Sequence, residues 1–467
     1  MPIQEELAAI VGDAHVLTAA DSLSRYETDW KGWWTGRALA VVRPADTAEV
    51  AAVMRLCHER GQPVVPMGGN TGLVEAAPPS QAGDEIVLSL ERLNRIRSLD
   101  AVGFTMVVEA GCILQSVSDA ALEADCFFPL SLGARGSCQI GGNVSTNAGG
   151  VNVLRWGMMR DLVLGLEVVL PDGRIWDGLG LLRKDNTGYD LKQLFIGAEG
   201  TLGIVTAASL KLFPRPTQLE TAFLGLPSAE AALTLFGRAR RDLCDLLGAY
   251  ELITRGAMDL TIGTFPENRD PLSTPAECYV LLQTSVSGGL DLRPRLESFL
   301  ERAMEDGLVL DGALAESEGQ RAAFWRIRED LVDAQYRVAP VHLRTDVSVP
   351  QVKLADFIAA ADAEMAKHFP DLRPITYGHV GDGNVHYNVL PQPHLTEPVT
   401  AHRYEECETM LFDLTARFQG SISAEHGIGR TKRHAFLDIT PEIELSLMRG
   451  LKQLLDPKGL LSPGRVL

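Results

Sequence analysis

The chain has 467 residues, enough at about 100 to 200 residues per domain for two to four domains, so a single small stapled module is excluded. Hydrophobic residues make up 46% and charged residues 22%, which is ordinary globular usage and argues against a disordered tail or a fibrous repeat. Lys and Arg number 43 against 61 Asp and Glu, for a formal net charge of -18; such a chain does not attract nucleic acid, and an anionic substrate would need a local positive site built from a metal, arginines or backbone N–H groups.

Residues Met1 to Ile10 carry Glu5 and Glu6 and lack the basic and apolar regions of a signal peptide. No uncharged apolar run reaches membrane-spanning length. The 7 cysteines are scattered without a Cys-x-x-Cys pair, which points to reducing surroundings, and a cytoplasmic location is expected. From Ala38 the sequence predicts a strand to Val42, a helix from Ala48 to Arg60 capped by Thr47 and ended by Gly61, and an extended Pro63-Val-Val-Pro66. Short strands are predicted at Glu85 to Leu90, Thr105 to Glu109 and Leu162 to Leu170, the last closed into a hairpin by Pro171-Asp-Gly173. Near Pro214 and Pro216 the glycine-rich character stops, which marks a domain boundary. Helices follow at Ser228 to Leu247 and Ser317 to Tyr336.

Three glycine-rich loops lie on the N-terminal side of that boundary. Pro66-Met-Gly-Gly-Asn-Thr-Gly72 follows a strand directly, Gly133 to Gly150 carries the same chemistry at greater length, and Gly197-Ala-Glu-Gly-Thr-Leu-Gly203 comes last. Loops of this kind turn several N–H groups toward one anion and let a flat cofactor approach the backbone. None has the Gly-x-Gly-x-x-Gly spacing that opens a Rossmann helix, which disfavours a nicotinamide site.

A second constellation sits near the C-terminus. In Gly378-His-Val-Gly-Asp-Gly-Asn-Val-His-Tyr-Asn-Val389 the Asp382-Gly383 turn predicts a hairpin whose four-residue loop, Gly381 to Asn384, pairs Val380 with Val385 and so His379 with His386. Opposed residues have Cβ atoms about 4.5 to 5.5 Å apart, a workable separation for two imidazoles on one ion. Asn388 shares the face of His386 by strand alternation. Ser423-Ala-Glu-His-Gly-Ile-Gly-Arg-Thr-Lys432 adds Glu425 and His426. Two His and one carboxylate suit zinc or a similar divalent ion, cobalt and manganese included, with positions left for an α-hydroxy acid. Arg328 and Arg344 are candidates for carboxylate binding, because a guanidinium holds a carboxylate with two parallel hydrogen bonds.

The three loops resemble the flavin-binding signature of the vanillyl-alcohol oxidase and p-cresol methylhydroxylase superfamily. Within it, Asp185-Asn-Thr-Gly-Tyr-Asp-Leu-Lys-Gln-Leu-Phe-Ile196 and the C-terminal motifs resemble the D-2-hydroxyglutarate dehydrogenases, over about Trp30 to Pro463. The resemblance implies an α+β chain with a two-part FAD-binding domain of the p-cresol methylhydroxylase type (1–214), an antiparallel-sheet-and-helix substrate domain (215–419) and a C-terminal helical segment (420–467) that completes the active site. It implies FAD held by Pro66, Gly68, Gly69, Asn70, Thr71 and Gly72, by Gly141, Gly142, Asn143, Thr146, Asn147, Gly149 and Gly150, and by Glu199, Gly200, Gly203 and Ile204. Neither of the first two loops offers a His for attachment, so non-covalent FAD is expected.

Matched position by position, His379, His386 and Glu425 fall on that family's metal ligands, Arg328 and Asn388 on substrate contacts, and His426 on the catalytic base. Arg344 stands where a Lys is usual, and Val332, which cannot donate a hydrogen bond, where a substrate-binding Thr is usual. The implied reaction is FAD- and metal-dependent oxidation of D-2-hydroxyglutarate to 2-oxoglutarate, with D-lactate or D-malate as the alternative substrate. The implied acceptor is an electron-transfer flavoprotein, with quinone second, and the implied assembly a homodimer. A flavin oxidase that uses oxygen, and a metal-binding module without flavin, are the competing readings.

Overall fold

The computed structural model describes residues 1–467, and the chain divides into two units. The first is built from 1–149, 157–215 and 425–467; the second from 150–156 and 216–424. This differs in two respects from the three consecutive domains expected. Residues from Glu425 onward belong to the first unit, and Gly150–Trp156 belongs to the second.

In the first unit, strands β1 (Val16–Leu17), β2 (Ala38–Val42), β3 (Val64–Met67) and β4 (Glu85–Ser89) form a sheet of order β1-β2-β4-β3, with β2 and β3 both parallel to β4. The crossover between β2 and β3 is the helix Thr47–Arg60. Its cap is Asp46 rather than Thr47: the carboxylate accepts from Glu49 N at 2.9 Å, while Thr47 is already helical and its hydroxyl donates to Glu167 at 2.6 Å. Gly61 ends the helix in the left-handed region at φ 64°.

Next in the chain come β5 (Ile96–Asp100), β6 (Thr105–Glu109), the short β7 (Cys126–Phe127), β8 (Val163–Val169), β9 (Ile175–Gly178), β10 (Ile204–Lys211) and the short β11 (Phe213–Pro214). Five of them make an antiparallel sheet of order β5-β6-β10-β8-β9, and β7 pairs with β11. One core cluster joins Leu7, Val42, Met54, Ile86, Leu88, Ile204 and Leu461, so the start and the end of the chain close the same interior. Burial of this apolar surface, at about 25 cal/mol per Å2, is what holds these segments together.

The second unit is a seven-stranded antiparallel sheet. Its members are β12 (Gln218–Leu226), β13 (Leu247–Thr254), β14 (Cys278–Val286), β15 (Asp311–Leu314), β16 (Val347–Ser348), β17 (Leu372–Gly378) and β18 (Asn384–Pro391), in the order β15-β12-β14-β13-β17-β18-β16. The expected helix Ser317 to Tyr336 is two helices, Glu318–Glu329 and Leu331–Val338, meeting at Asp330. Phe324, Ile327, Leu331 and Ala334 from this pair pack with Ile253, Tyr279, Ile375 and Tyr377 of the sheet. The segment Gly150–Trp156 is tied to β14 by Arg155, whose Nη1 donates to the Ser285 carbonyl at 2.7 Å.

Candidate active site

In the first unit the first two glycine loops pack against each other. A Cβ on Gly69 would lie 2.1 Å from the Ser137 carbonyl oxygen, and one on Gly141 would lie 2.7 Å from the Ala110 Cβ. Neither position tolerates a side chain. The opposite holds at Gly72 and Gly142, where nothing lies within 4 Å of an added Cβ. On the same segment as Gly142, Gln139 Oε1 and Asn143 Oδ1 are buried without a hydrogen-bond partner, and Gln139 Oε1 lies 3.5 Å from where a Cβ on Gly68 would sit. Buried acceptors of this kind call for a donor, and a dinucleotide with sugar hydroxyls supplies them, so the residues present fit the implied flavin. Asn70 takes a left-handed φ of 53° and its Nδ2 donates to the Thr28 carbonyl at 2.8 Å.

Several of the residues singled out as cofactor contacts have internal work. Thr146 Oγ1 donates to the Gly142 carbonyl at 2.9 Å, and Asn147 Oδ1 accepts from Arg160 N at 2.9 Å. Gly203 sits against Val168 and Phe195, and Ile204 is buried in the core at the start of β10. Gly200 at φ 71° faces Pro66 so closely that a Cβ would lie 2.7 Å from the proline Cγ. Glu199 accepts from Ile428 N at 2.7 Å and Gly429 N at 2.8 Å. Burial pushes its carboxyl up from the ordinary value, and the two N–H donors and Lys432 pull against that. Glu199 thereby anchors the turn that directly follows Glu425 and His426. Within that C-terminal segment, His426 Nε2 is 3.9 Å from Glu425 Oε1.

The second unit carries its candidate site on one sheet face. The predicted hairpin is present, but its register is not the predicted one: Tyr377, not His379, lies opposite His386. In this register Gly378 falls opposite Val385, so six residues, 379–384, lie between paired positions where four were expected. His379 thus leaves the strand, yet its ring centroid is 5.6 Å from that of His386, edge to face. Diagonal neighbours on one face can still meet when the side chains are long or aromatic.

The register also explains two residues that sequence reasoning missed. Leu252 on β13 pairs with Gly378, which sets Glu251 opposite His379. Val347 on β16 pairs with Val385, which sets Asp346 opposite His386. Glu251 Oε1 is 2.6 Å from His379 Nδ1, and Glu251 Oε2 accepts from Arg328 Nε at 2.9 Å. Burial works to raise the Glu251 carboxyl, but His379 and Arg328 beside it outweigh that and hold it at about 2. Asp346 is fully buried, accepts from Asn384 Nδ2 at 2.9 Å, and offers an oxygen within 4.8 Å of a His386 ring nitrogen. A lone Glu in the apolar run Leu247–Thr254 was the one available signal, since charges are seldom placed in buried strands without a partner.

Arg328 ends its helix over the Tyr377 ring, 4.6 Å from the centroid. Asn388 Nδ2 donates to Gln335 Oε1 at 2.8 Å and its Oδ1 accepts from Thr345 N at 3.0 Å, so this amide spends its main hydrogen bonds inside the sheet-helix joint. Arg344 Nη1 donates to the Tyr336 hydroxyl at 3.0 Å.

Residues 215–466 match the family model for FAD linked oxidases, C-terminal domain, and residues 38–178 match that for an FAD binding domain. Among solved structures, p-cresol methylhydroxylase with substrate bound aligns at a TM-score of 0.75 and 16% identity, over 99% of this chain and 96% of that one. The fold and the flavin loops thus define an FAD-linked oxidoreductase. D-2-hydroxyglutarate dehydrogenase, mitochondrial, of Bos taurus is 41% identical over 473 residues, 99% of this chain and 84% of that protein. The Arabidopsis thaliana enzyme of the same name is 38% identical over 465 residues, 98% and 80% of the two chains. The chain belongs to the D-2-hydroxyglutarate dehydrogenase family. The cytoplasmic expectation is corrected by the same comparison, because both relatives are mitochondrial by name. It rested on free cysteines, and reducing surroundings do not single out one compartment.

Proposed function

We propose that the protein oxidises D-2-hydroxyglutarate to 2-oxoglutarate with FAD and a divalent metal, zinc or a similar ion. Supporting this reading is the pairing, on one face of the second unit, of two imidazoles with ring centroids 5.6 Å apart and an arginine hydrogen-bonded to the glutamate that holds one of them. The donor set is chemically suited to the ion: an ionised Glu251 accepts only, so His379 presents its proton at Nδ1, which would leave Nε2 as the nitrogen to hold a metal. His379, His386 and Glu425 would hold the metal, which supplies Lewis-acid polarisation of the substrate hydroxyl. A bound flavin supplies a two-electron acceptor.

The chain's own groups then divide the remaining work. Arg328 receives a carboxylate, assisted by Arg344; Asn388, whose Nδ2 donates to Gln335 and Tyr377, would join them by giving up one of those bonds. His426 takes the hydroxyl proton on a ring nitrogen, which an imidazole does near neutral pH, while the C2 hydrogen leaves with its electron pair. Electron-transfer flavoprotein is the acceptor that the resemblance implies, with quinone as the second, in a homodimeric enzyme.

D-Malate or D-lactate is a second reading, favoured by Val332, which stands in the first turn of the helix Leu331–Val338 with a side chain that donates nothing. Anaerobic titration of the flavin band decides between them. Bleaching by D-2-hydroxyglutarate at concentrations where D-malate and D-lactate leave the band unchanged is the expected result; preferential bleaching by either shorter acid overturns the substrate assignment. Loss of bleaching on chelation, restored by added zinc, checks the metal.

A further inference from the structure

Glu251 stands on β13 with both carboxylate oxygens committed, one to His379 and one to Arg328. Its residue exposure is 1%. The two partners come from distant parts of the chain, 128 and 77 residues away in sequence. Sheet register fixes the first contact, since Leu252 pairs with Gly378 and Ile253 with Tyr377. The second is fixed by the helix Glu318–Glu329, whose Arg328 lies across Tyr377. On the functional reading above, one partner ligates the metal that takes the hydroxyl end of the substrate, and the other takes a carboxylate.

We infer that Glu251 is a positioning residue that gauges the substrate: by bridging His379 and Arg328 it sets the distance between the metal end and the carboxylate end of the site, and so selects a five-carbon diacid over shorter 2-hydroxy acids. A carboxylate is the side chain that can do this, because it presents two acceptors to two donors at once. Glutamine has one acceptor and one donor group, so it satisfies one neighbour and confronts the other. Aspartate keeps the charge but withdraws it by one methylene.

The inference rests on the proposed function, and the experiment separates the two. Wild-type holoenzyme is stripped of metal with chelator, titrated with zinc while binding is measured directly, and assayed at saturating zinc with D-2-hydroxyglutarate and with D-lactate. Glu251→Gln is treated identically. The expected outcome is a zinc Kd raised about 10- to 100-fold, in keeping with partners that orient metal-ligating histidines. At saturating zinc, the ratio of kcat/KM for D-2-hydroxyglutarate over D-lactate should fall at least tenfold, mostly through KM for the diacid.

A Gln variant with wild-type zinc Kd and wild-type discrimination overturns the inference and leaves the function standing. Wild-type protein that binds no zinc, or that ignores D-2-hydroxyglutarate, overturns the function itself. If Glu251→Gln purifies without flavin or unfolded, Glu251→Asp takes its place: a folded Asp variant should shift both readouts in the same direction, and one matching the wild type in both overturns the inference.

Discussion

A buried carboxylate that serves two nitrogen donors must stay ionised, and Glu251 does so because His379 and Arg328 together outweigh the cost of its burial, holding it at about 2. A folded value below the unfolded one, about 4.5, means that unfolding takes up protons. The stabilisation is therefore complete above about pH 4.5 and is lost as pH falls toward about 2. Acid denaturation followed by circular dichroism should show this slope in the wild type and a flatter one in Glu251→Gln; parallel curves would remove the ion-pair account. His426 is the other residue whose chemistry can be isolated. Its substitution by Gln removes a proton acceptor without touching the Glu199 anchor at Ile428 and Gly429. Flavin should stay bound while single-turnover reduction slows about 10^2- to 10^4-fold. Unchanged reduction would assign the base elsewhere.

Elements show why some features were legible from the sequence and others were not. Glycine loops are readable because their function needs small residues in a row, and the structure gives each a separate reason: close approach at Gly69 and Gly141, open space at Gly72 and Gly142. That contrast is testable. Gly69→Ala forces a Cβ against the Ser137 carbonyl, a backbone atom that cannot swing aside, so a loss of about 1–3 kcal/mol is expected, visible in thermal unfolding and in flavin content. Gly72→Ala should leave thermal stability of the flavin-free protein within about 0.5 kcal/mol. Equal melting points for the two variants would refute the packing argument. The histidine hairpin was readable as a hairpin from Asp382-Gly383, but register depends on loop length, and two more residues between the paired positions moved Tyr377 into the place expected for His379. Strand alternation left His386 and Asn388 on one face all the same. Glu251 left a signal as a lone charge in an apolar strand, but the pairing of Glu251 and Asp346 with the histidines was out of reach, because it is created by β13 and β16 lying beside β17 and β18, which no local pattern encodes.

At the scale of the whole molecule, the break near Pro214 was visible as a change in composition, whereas the return of a C-terminal segment from about Gly420 to the flavin came from the family resemblance alone; that 425–467 shares the core of the first unit is not written in any local pattern, since chain order says little about which strands share a core. The end of the chain is fastened there by Arg465. Its guanidinium makes a bidentate pair with Glu85, at 2.6 and 3.0 Å, and donates further to the carbonyls of Ala76, Pro78 and Pro463. Both side chains are almost wholly buried. Removing one member of a buried pair costs about 3–5 kcal/mol, and without Arg465 the Glu85 carboxylate keeps only the weaker charge contact with Arg430, whose Nη2 is 3.7 Å from Glu85 Oε2. Arg465→Met should therefore destabilise the protein by that amount in denaturant unfolding, although it lies two residues from the C-terminus. Adding Glu85→Leu removes that carboxylate and should recover part of the loss. Recovery stays incomplete, because Glu85 Oε2 also accepts from Ser80 N at 2.7 Å, and an orphaned buried N–H costs about 1–3 kcal/mol. A double variant no more stable than Arg465→Met would mean that the carbonyl contacts of Arg465, not its charge pair, hold the terminus in the first unit.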